Sequence, residues 1–427
     1  MTIHNGNGKR GCILCGSARV QQFLDLGATA LANQFIAARD LAVEETKYPL
    51  RVGFCRSCAH VQLMDSVPPL EMFENYLYLS SASTTLQRHL WELSDDVAER
   101  QRLGGGDLVI DIGCNDATLL LGFKRHGVRT LGVDPARNLA AWGAENGIER
   151  HTALFNAESA REIAERWGKA SVITATNTFP HIQDLAGFIE GIKTALEPGG
   201  ALVMEMHYLL DLVEQAAFDT VYHEHVSYWA LGPMKRLFEA NGMTITDAER
   251  IPLHHGQLRV FVQRAREGEA RASVSELLEE EKAAGLDRLE TYLGFAGKVD
   301  GLKRELRETL VGLAHDGKRV AAYGAPAKGN TLLSYLEIGP DLVEYIADRS
   351  PLKQGLYTPG THIPVVPPDR LLSDRPDYVL LLAWNFADEI MEQQSEYLKR
   401  GGKFIVPVPE VRIVEPAAVR AEPAAVV

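Results

Sequence analysis

Cys12 and Cys15 form one C-x-x-C pair and Cys55 and Cys58 form a second, with residues 16–54 between them. Each pair can set two sulfurs on one tight turn, and two such knuckles can complete a tetrahedral four-sulfur zinc site. A chain marked in this way must bring residue 58 back beside residue 12 and loop out an excursion over residues 23–50. The opposing reading, free cysteines or two redox dithiols, leaves the recurrence of the pair within one small segment unexplained. His60 lies close by but would make a fifth ligand, and nothing indicates an open coordination position. The expected Zn2+, one per chain, is therefore structural. Five cysteines in 427 residues do not make a disulfide framework.

From about residue 84 helices and strands alternate. Residues 84–103 have helical apolar spacing, broken by Gly104, Gly105 and Gly106. Apolar, β-rich runs follow at 108–112, 130–133, 172–176, 201–206, 243–247 and 258–262, with helical segments between most of them, as a doubly wound sheet requires. The last two runs are joined through residues 251–256 without an obvious helix, which suits an antiparallel hairpin at one sheet edge. Residues 265–316 are highly charged and read as solvated helices. A second α/β series begins at RVAAYG and continues through LVEYIAD, DYVLLLAW and GKFIVPVP. The division expected is 1–75 for a zinc-binding domain, 76–265 for a first Rossmann-like domain, 266–413 for a second, and 414–427 for a disordered tail that repeats EPAAV.

Composition narrows the partners. Lys and Arg number 44 against 57 Asp and Glu, a formal net charge of −13, so neither nucleic acid nor a membrane surface is an expected partner. No run approaches the length of a membrane span, and the polar start MTIHNGNGKRG lacks the apolar stretch of a secretory signal. A cytoplasmic protein is expected.

The segment DLVIDIGCNDATLLL, beginning at Asp107, reads as strand, glycine-containing turn and helix. Asp111 falls near the strand's end, Gly113 lets backbone pass close to a ligand, and Asn115 and Asp116 are expected to begin the helix, with free N–H groups facing that ligand. The next strand ends at Asp134, a carboxylate suited to the two vicinal hydroxyls of a ribose. Dinucleotides and S-adenosylmethionine both use this arrangement. A dinucleotide wants G-x-G-x-x-G, whereas Gly113 is followed by Cys114, Asn115, Asp116 and Ala117; D-I-G-C-N-D and the later LEPGGAL resemble class I methyltransferase motifs. Asn177, in NTFPH, follows the run at 172–176, where such enzymes present residues that contact cofactor and substrate.

VYHEHVSY, from Val221 to Tyr228, is the most unusual segment. His223 and His225 are two apart and cannot share a helical face. In an extended segment Tyr222 and Glu224 would point one way and the two histidines the other. Buried, hydrogen-bonded polar groups are one reading; a general base beside a methyl donor is the other, since His switches protonation near neutral pH.

The paired C-x-x-C, D-I-G-C-N-D, Y-H-E-H-x-x-Y and YGAPAKGN occur in that order, and over residues 12 to about 410 the chain resembles the nucleotide-sugar C-methyltransferases, the sugar 3-C-methyltransferases of branched deoxysugar biosynthesis for antibiotics. The resemblance implies an α/β chain with a small N-terminal zinc domain, a class I methyltransferase domain and a second Rossmann-like domain. It implies S-adenosylmethionine as cofactor and methyl transfer to C3 of a nucleoside-diphosphate 4-keto-6-deoxy sugar, dTDP-linked or, less favoured, GDP-linked. It nominates His225 as the base, Glu224 and Tyr222 as groups that place the sugar or stabilise the enolate, and His181 as a second candidate for holding the developing oxyanion. It carries Tyr76 and Tyr78 to the sugar pocket. In YGAPAKGN, Lys328 and the later Lys353 could neutralise a pyrophosphate, with His362 shaping the same cleft. The competing functions are an O- or N-methyltransferase, and a zinc-containing adaptor with an inert methyltransferase fold.

Overall fold

The computed structural model describes residues 11–74, 76–253 and 256–416, and the chain divides into two compact units. The first takes in the chain up to Gln34 and Thr46–Lys298; the second takes in Phe35–Glu45 and the chain from Val299. The expected tail lies outside the described residues from 417 onward.

In the first unit, β1 (Val20–Thr29), β2 (Tyr48–Cys55) and β3 (Val61–Leu63) form an antiparallel sheet beside the cysteine knuckles. Helix α1 (Thr84–Gln101) starts at Ser83, whose side chain accepts from the Leu86 N–H, and ends at Arg102 in a left-handed conformation. It packs Leu86, Leu90, Leu93 and Val97 against Val109, Val203 and Phe261 of the next sheet.

That sheet follows in chain order. β4 (Leu108–Ile112), α2 (Thr118–Lys124), β5 (Arg129–Val133) and β6 (Glu149–His151) come first. Then come α3 (Ala157–Trp167), β7 (Ala170–Thr176), α4 (Leu185–Ala195) and β8 (Leu196–His207). The short strand β9 (Ser227–Tyr228) and α5 (Leu231–Ala240) precede the closing hairpin β10 (Met243–Ile251) and β11 (Gln257–Arg264). The seven-stranded order is β10-β11-β8-β7-β4-β5-β6, parallel from β8 to β6 and antiparallel across β8-β11-β10. Residues 254–255 of the hairpin turn lie outside the described residues. All five residues of β4 are buried, because helices cover both faces of a parallel sheet.

β9 does not belong to that sheet. It pairs antiparallel with β3, so the four-stranded order beside the zinc knuckles is β1-β2-β3-β9. Within the first unit the histidine segment is thus attached to the zinc lobe.

Two local expectations fail. Helix α2 starts at Thr118, not at Asn115 or Asp116, because residues 113–117 form an open loop in which Gly113, Asn115 and Ala117 all have positive φ. Asp116 instead lies before the N-cap residue Ala117, its carboxylate accepting from the Thr118 N–H and hydroxyl. Residues 222–225 are not extended but turn, with the His225 N–H donating to the Tyr222 carbonyl at 2.9 Å.

Helix α6 (Ala272–Ala284) supplies Glu281, a 6% exposed carboxylate that accepts from the Tyr208 hydroxyl and from the Leu231 and Gly232 N–H groups at the start of α5. This interaction explains why the helical region after residue 265 packs with the first unit. Helix α7 (Leu289–His315) carries the chain onward.

The second unit has β12 (Val320–Tyr323), α8 (Ala327–Tyr335), β13 (Ile346–Ala347), β14 (Val365–Val366), β15 (Tyr378–Leu381), β16 (Lys403–Val406) and β17 (Arg412–Val414). Their order is β14-β13-β12-β15-β16-β17, parallel except for the last pair. The strand order reverses beside β12, so the 324–330 loop stands at a topological switch point. The excursion Phe35–Glu45 adds to this unit: Ile36–Ala37 pairs with Leu356–Tyr357, and Glu45 accepts from the Gly360 N–H and from His362 Nε2. Among the described residues no helix is long and apolar enough to cross a membrane.

Replacing Glu281 with Ala leaves two backbone donors and a hydroxyl buried without acceptors. The expected cost is about 2–4 kcal/mol in urea denaturation of the whole chain. A change under about 0.5 kcal/mol, the range of an ordinary surface substitution, would show that the cap is replaced by water.

Candidate functional site

The two cysteine pairs meet. Cys12 and Cys58 sulfurs are 3.5 Å apart, Cys15 and Cys55 sulfurs 3.7 Å, and all four lie within 4.8 Å of one another. A tetrahedral zinc with bonds of about 2.3 Å spaces its sulfurs by about 3.8 Å, so the residues fit the ion. Each knuckle closes by a backbone bond, Gly16 N–H to Cys12 carbonyl and Ala59 N–H to Cys55 carbonyl, both 2.8 Å. Without metal, hydrogen bonding with Cys12 pulls the Cys58 thiol down to about 5. One zinc per chain is expected by elemental analysis of the purified protein, and Cys55→Ser should lose it together with cooperative unfolding of the zinc lobe. Metal-free protein with all four thiols titrating freely would refute the site.

The loop after β4 is built around a carboxylate. Asp134, at the end of β5, accepts from the Asn115 N–H at 2.9 Å and the Ala136 N–H at 2.8 Å and pairs with Arg150 at 3.1 Å. Arg150 also donates to the Asn115 and Ala136 carbonyls, fastening both loops. The Asn115 carboxamide turns away, to the Tyr78 carbonyl and the Ser80 N–H. Gly113 passes so close to β7's following loop that a Cβ would lie 2.1 Å from the Thr178 hydroxyl, so only glycine fits there. Asn177 sits in a left-handed conformation with φ 55°, its N–H donating to the Glu205 carbonyl, and its buried Oδ1 has no hydrogen-bond partner among the described residues. A glycine-lined loop and an orphaned amide oxygen at the carboxyl ends of β4 and β7 are what a small polar cofactor needs.

Asp111 lies fully buried in β4 and accepts from the Thr174 hydroxyl at 2.7 Å. Burial pushes its carboxyl up to about 7, against a partial lowering by Thr174. A raised carboxyl stabilises the fold below its unfolded value, and that contribution is lost as pH rises through about 7. Asp111→Asn should therefore raise the melting temperature of the cofactor-free protein clearly at pH 8 and by much less at pH 5. Equal shifts at both pH values would show that Asp111 stays ionised throughout.

The turn at 222–225 spreads its side chains in three directions. Glu224 accepts from the Asn33 amide at 2.6 Å and from the Tyr76 hydroxyl at 2.9 Å. His223 Nε2 donates to the Tyr48 carbonyl at 3.2 Å, on the zinc-lobe side. His225 Nδ1 donates to the Thr220 carbonyl at 2.7 Å, and the Tyr222 ring lies 4.1 Å from it. The two histidines therefore do not share a side, in contrast to the extended reading. His181 stacks on His225 with ring centres 5.2 Å apart, and its buried Nε2 has no hydrogen-bond partner among the described residues. Burial lowers His225 to about 4 and His181 well below its ordinary value, so both are neutral imidazoles at neutral pH. Because the Nδ1 proton of His225 is committed to a carbonyl, its Nε2 is the lone-pair atom.

The structure thus brings Tyr76, Asn177, His181, Tyr222, Glu224 and His225 into one unit with the Asp111–Asp134 loop. Tyr78 contributes its backbone carbonyl to Asn115, and its side chain is 40% exposed. Lys328 and Lys353 belong to the second unit. Lys328 Nζ lies 4.3 Å over the Trp384 ring; Lys353 is buried, donating to the Ala325 carbonyl at 2.7 Å. Sequence reasoning missed Asn33, Arg150 and His207. Only His207 carried a signal, a polar residue closing a buried parallel strand; its ring is 5.3 Å from His225.

Comparison with known proteins covers the same three regions. Residues 12–73 match the family described as "Putative zinc binding domain", 86–248 match "Methyltransferase domain", and 252–409 match "C-methyltransferase C-terminal domain". C-methyltransferase NovU of Streptomyces niveus is 38% identical over 404 residues, spanning 94% of this chain and 96% of that protein. A ubiquinone biosynthesis O-methyltransferase of Bradyrhizobium diazoefficiens is 28% identical over 101 residues, 23% of this chain and 40% of that one. Among solved structures, magnesium protoporphyrin IX methyltransferase of Synechocystis PCC 6803 with bound SAM aligns at a TM-score of 0.32 and 12% identity, covering 42% of this chain and 79% of that one. The chain belongs to the C-methyltransferase family, with S-adenosylmethionine as its methyl donor and zinc in its N-terminal lobe.

Proposed function

We propose that the acceptor is C3 of a nucleoside-diphosphate-linked 4-keto-6-deoxy sugar, dTDP-linked in preference to GDP-linked, and that His225 removes the C3 proton. The observation that carries this reading is the Nδ1–H bond from His225 to the Thr220 carbonyl, which leaves a neutral Nε2 able to accept a proton beside His181 and Tyr222. Carbon is a poor nucleophile, and its proton is removable only where an adjacent ketone takes the charge as an enolate. His181, with an unsatisfied buried Nε2, is the group offered to that oxyanion, and Tyr222 and the Tyr76–Glu224–Asn33 chain fix the sugar. The bound cofactor supplies an electrophilic methyl on a sulfonium. Asp134 is assigned to its ribose, since each carboxylate oxygen keeps acceptor capacity beyond its one backbone N–H. Asp111, Gly113, Asn115 and Asn177 line the remainder of that site. In the second unit, Lys328 is assigned to the pyrophosphate, with Lys353 holding the loop carbonyl of Ala325 and Tyr78 lending support to the sugar site through its loop.

Solvent-deuterium wash-in at C3 tests the chemistry directly, because exchange needs the base but not the methyl. The parental protein should exchange C3–H in the presence of S-adenosylhomocysteine. His225→Ala should lose about 10²–10⁴-fold in exchange and turnover while keeping its affinity for S-adenosylhomocysteine. Parental exchange in His225→Ala, with loss in His181→Ala or Glu224→Ala, would move the base to one of those residues. No exchange in the parent would point to methylation at oxygen or nitrogen.

A further inference from the structure

Methylation at carbon liberates one proton per turnover, and on the reading above that proton starts on His225 Nε2. The C3–H bond breaks with its electron pair retained in the enolate. The enolate carbon then bonds to the methyl as the donor's carbon–sulfur pair passes to sulfur. His225 is left as an imidazolium that must discharge before the next cycle. It is 4% exposed, and its other nitrogen is bound to the Thr220 carbonyl, so water does not reach it freely.

Among the described residues three rings lie against it, and they differ as proton acceptors. Tyr222, 4.1 Å away, offers a neutral phenol whose own ionisation burial makes harder still, which is no base for an imidazolium. His181 lies 5.2 Å away at an interplanar angle of 20°, so the rings meet face to face, with their nitrogens pointing along the planes. The Phe73 ring stacks on His181 in turn, 5.1 Å away at 17°. His207 is different. Its ring centre is 5.3 Å from that of His225 with the planes tilted by 49°, so the two rings are not stacked face to face and a modest ring rotation can turn a nitrogen of one toward the other. It closes β8, its backbone is held opposite Gln257 by the sheet, and it is half-buried where His225 is buried.

We infer that His207 is the proton exit of this site: it accepts the proton from His225 through the tilted ring contact and passes it to solvent at the end of β8. It acts on the sugar only through His225, so it limits the return of the base and leaves the bond-making step alone. The inference rests on the enolate reading.

The test uses the full-length, zinc-loaded protein and its His207→Gln and His207→Ala variants. Wash-in of solvent deuterium at C3 with S-adenosylhomocysteine bound should fall about tenfold or more, because the abstracted proton returns to carbon before it can leave. Single-turnover methyl transfer with S-adenosylmethionine should stay within about twofold of the parent, and imidazole in the buffer should restore wash-in to His207→Ala. Unchanged wash-in in both variants overturns the inference. Equal loss of wash-in and single-turnover transfer, with no rescue by imidazole, also overturns it and makes His207 a packing residue. Absence of wash-in in the parent overturns the enolate reading itself, a result separate from either of these.

Discussion

Ser227 and Tyr228 pair with Gln62 and Val61, and most of the catalytic unit's geometry hangs on that contact. A two-residue strand has no stability of its own and exists only where a neighbouring sheet supplies its partners. Here the neighbour is the zinc lobe. Gln62 is fully buried and accepts from the N–H of Ile13, the residue after the first zinc ligand, and His60 Nε2 reaches the Ser227 hydroxyl at 3.2 Å. Leu63 donates to the Val226 carbonyl, and Asn33 and Tyr48 hold Glu224 and His223. The four-cysteine lobe, which has no part in the proposed chemistry, therefore fixes the register of the turn that carries His225. A one-residue slip in that pairing would reverse the faces of every side chain in the strand.

Burial then sets the protonation states. The surroundings of His181, His225 and Asp111 penalise charge more than nearby partners favour it, so the two imidazoles rest neutral at neutral pH and the Asp111 carboxyl stays protonated up to about 7. Imidazoles kept neutral in this way can accept a proton without first losing one. The same desolvation would make any charge that forms nearby interact strongly with the few dipoles aimed at it.

The parallel sheet was legible because strands buried on both faces read as unbroken apolar runs, and residues 108–112 coincide with β4. β6 was not, since Glu149, Arg150 and His151 are an edge strand with no apolar signature. The zinc ligands could be read from spacing alone. The histidine turn could not: two-residue alternation describes a strand, whereas 222–225 turn because the His225 N–H finds the Tyr222 carbonyl and Glu224 finds Asn33, a partner 191 positions away. Arg150 and Asn33 act through tertiary contacts, and such contacts leave no local pattern.

The excursion between β1 and β2 has a consequence for how the chain can be divided. Phe35–Glu45 leaves the zinc lobe, lends a strand to Leu356–Tyr357 and anchors Glu45 on Gly360 and His362, and then the chain returns to β2. The second unit is therefore discontinuous in sequence. A fragment beginning at Val299 lacks the strand that pairs with Leu356–Tyr357, and a fragment ending at Lys298 carries that strand with nothing to pair it. No single cut yields two whole pieces, so gene fusion, domain exchange or circular permutation in this chain has to move residues 35–45 along with the carboxyl-terminal half.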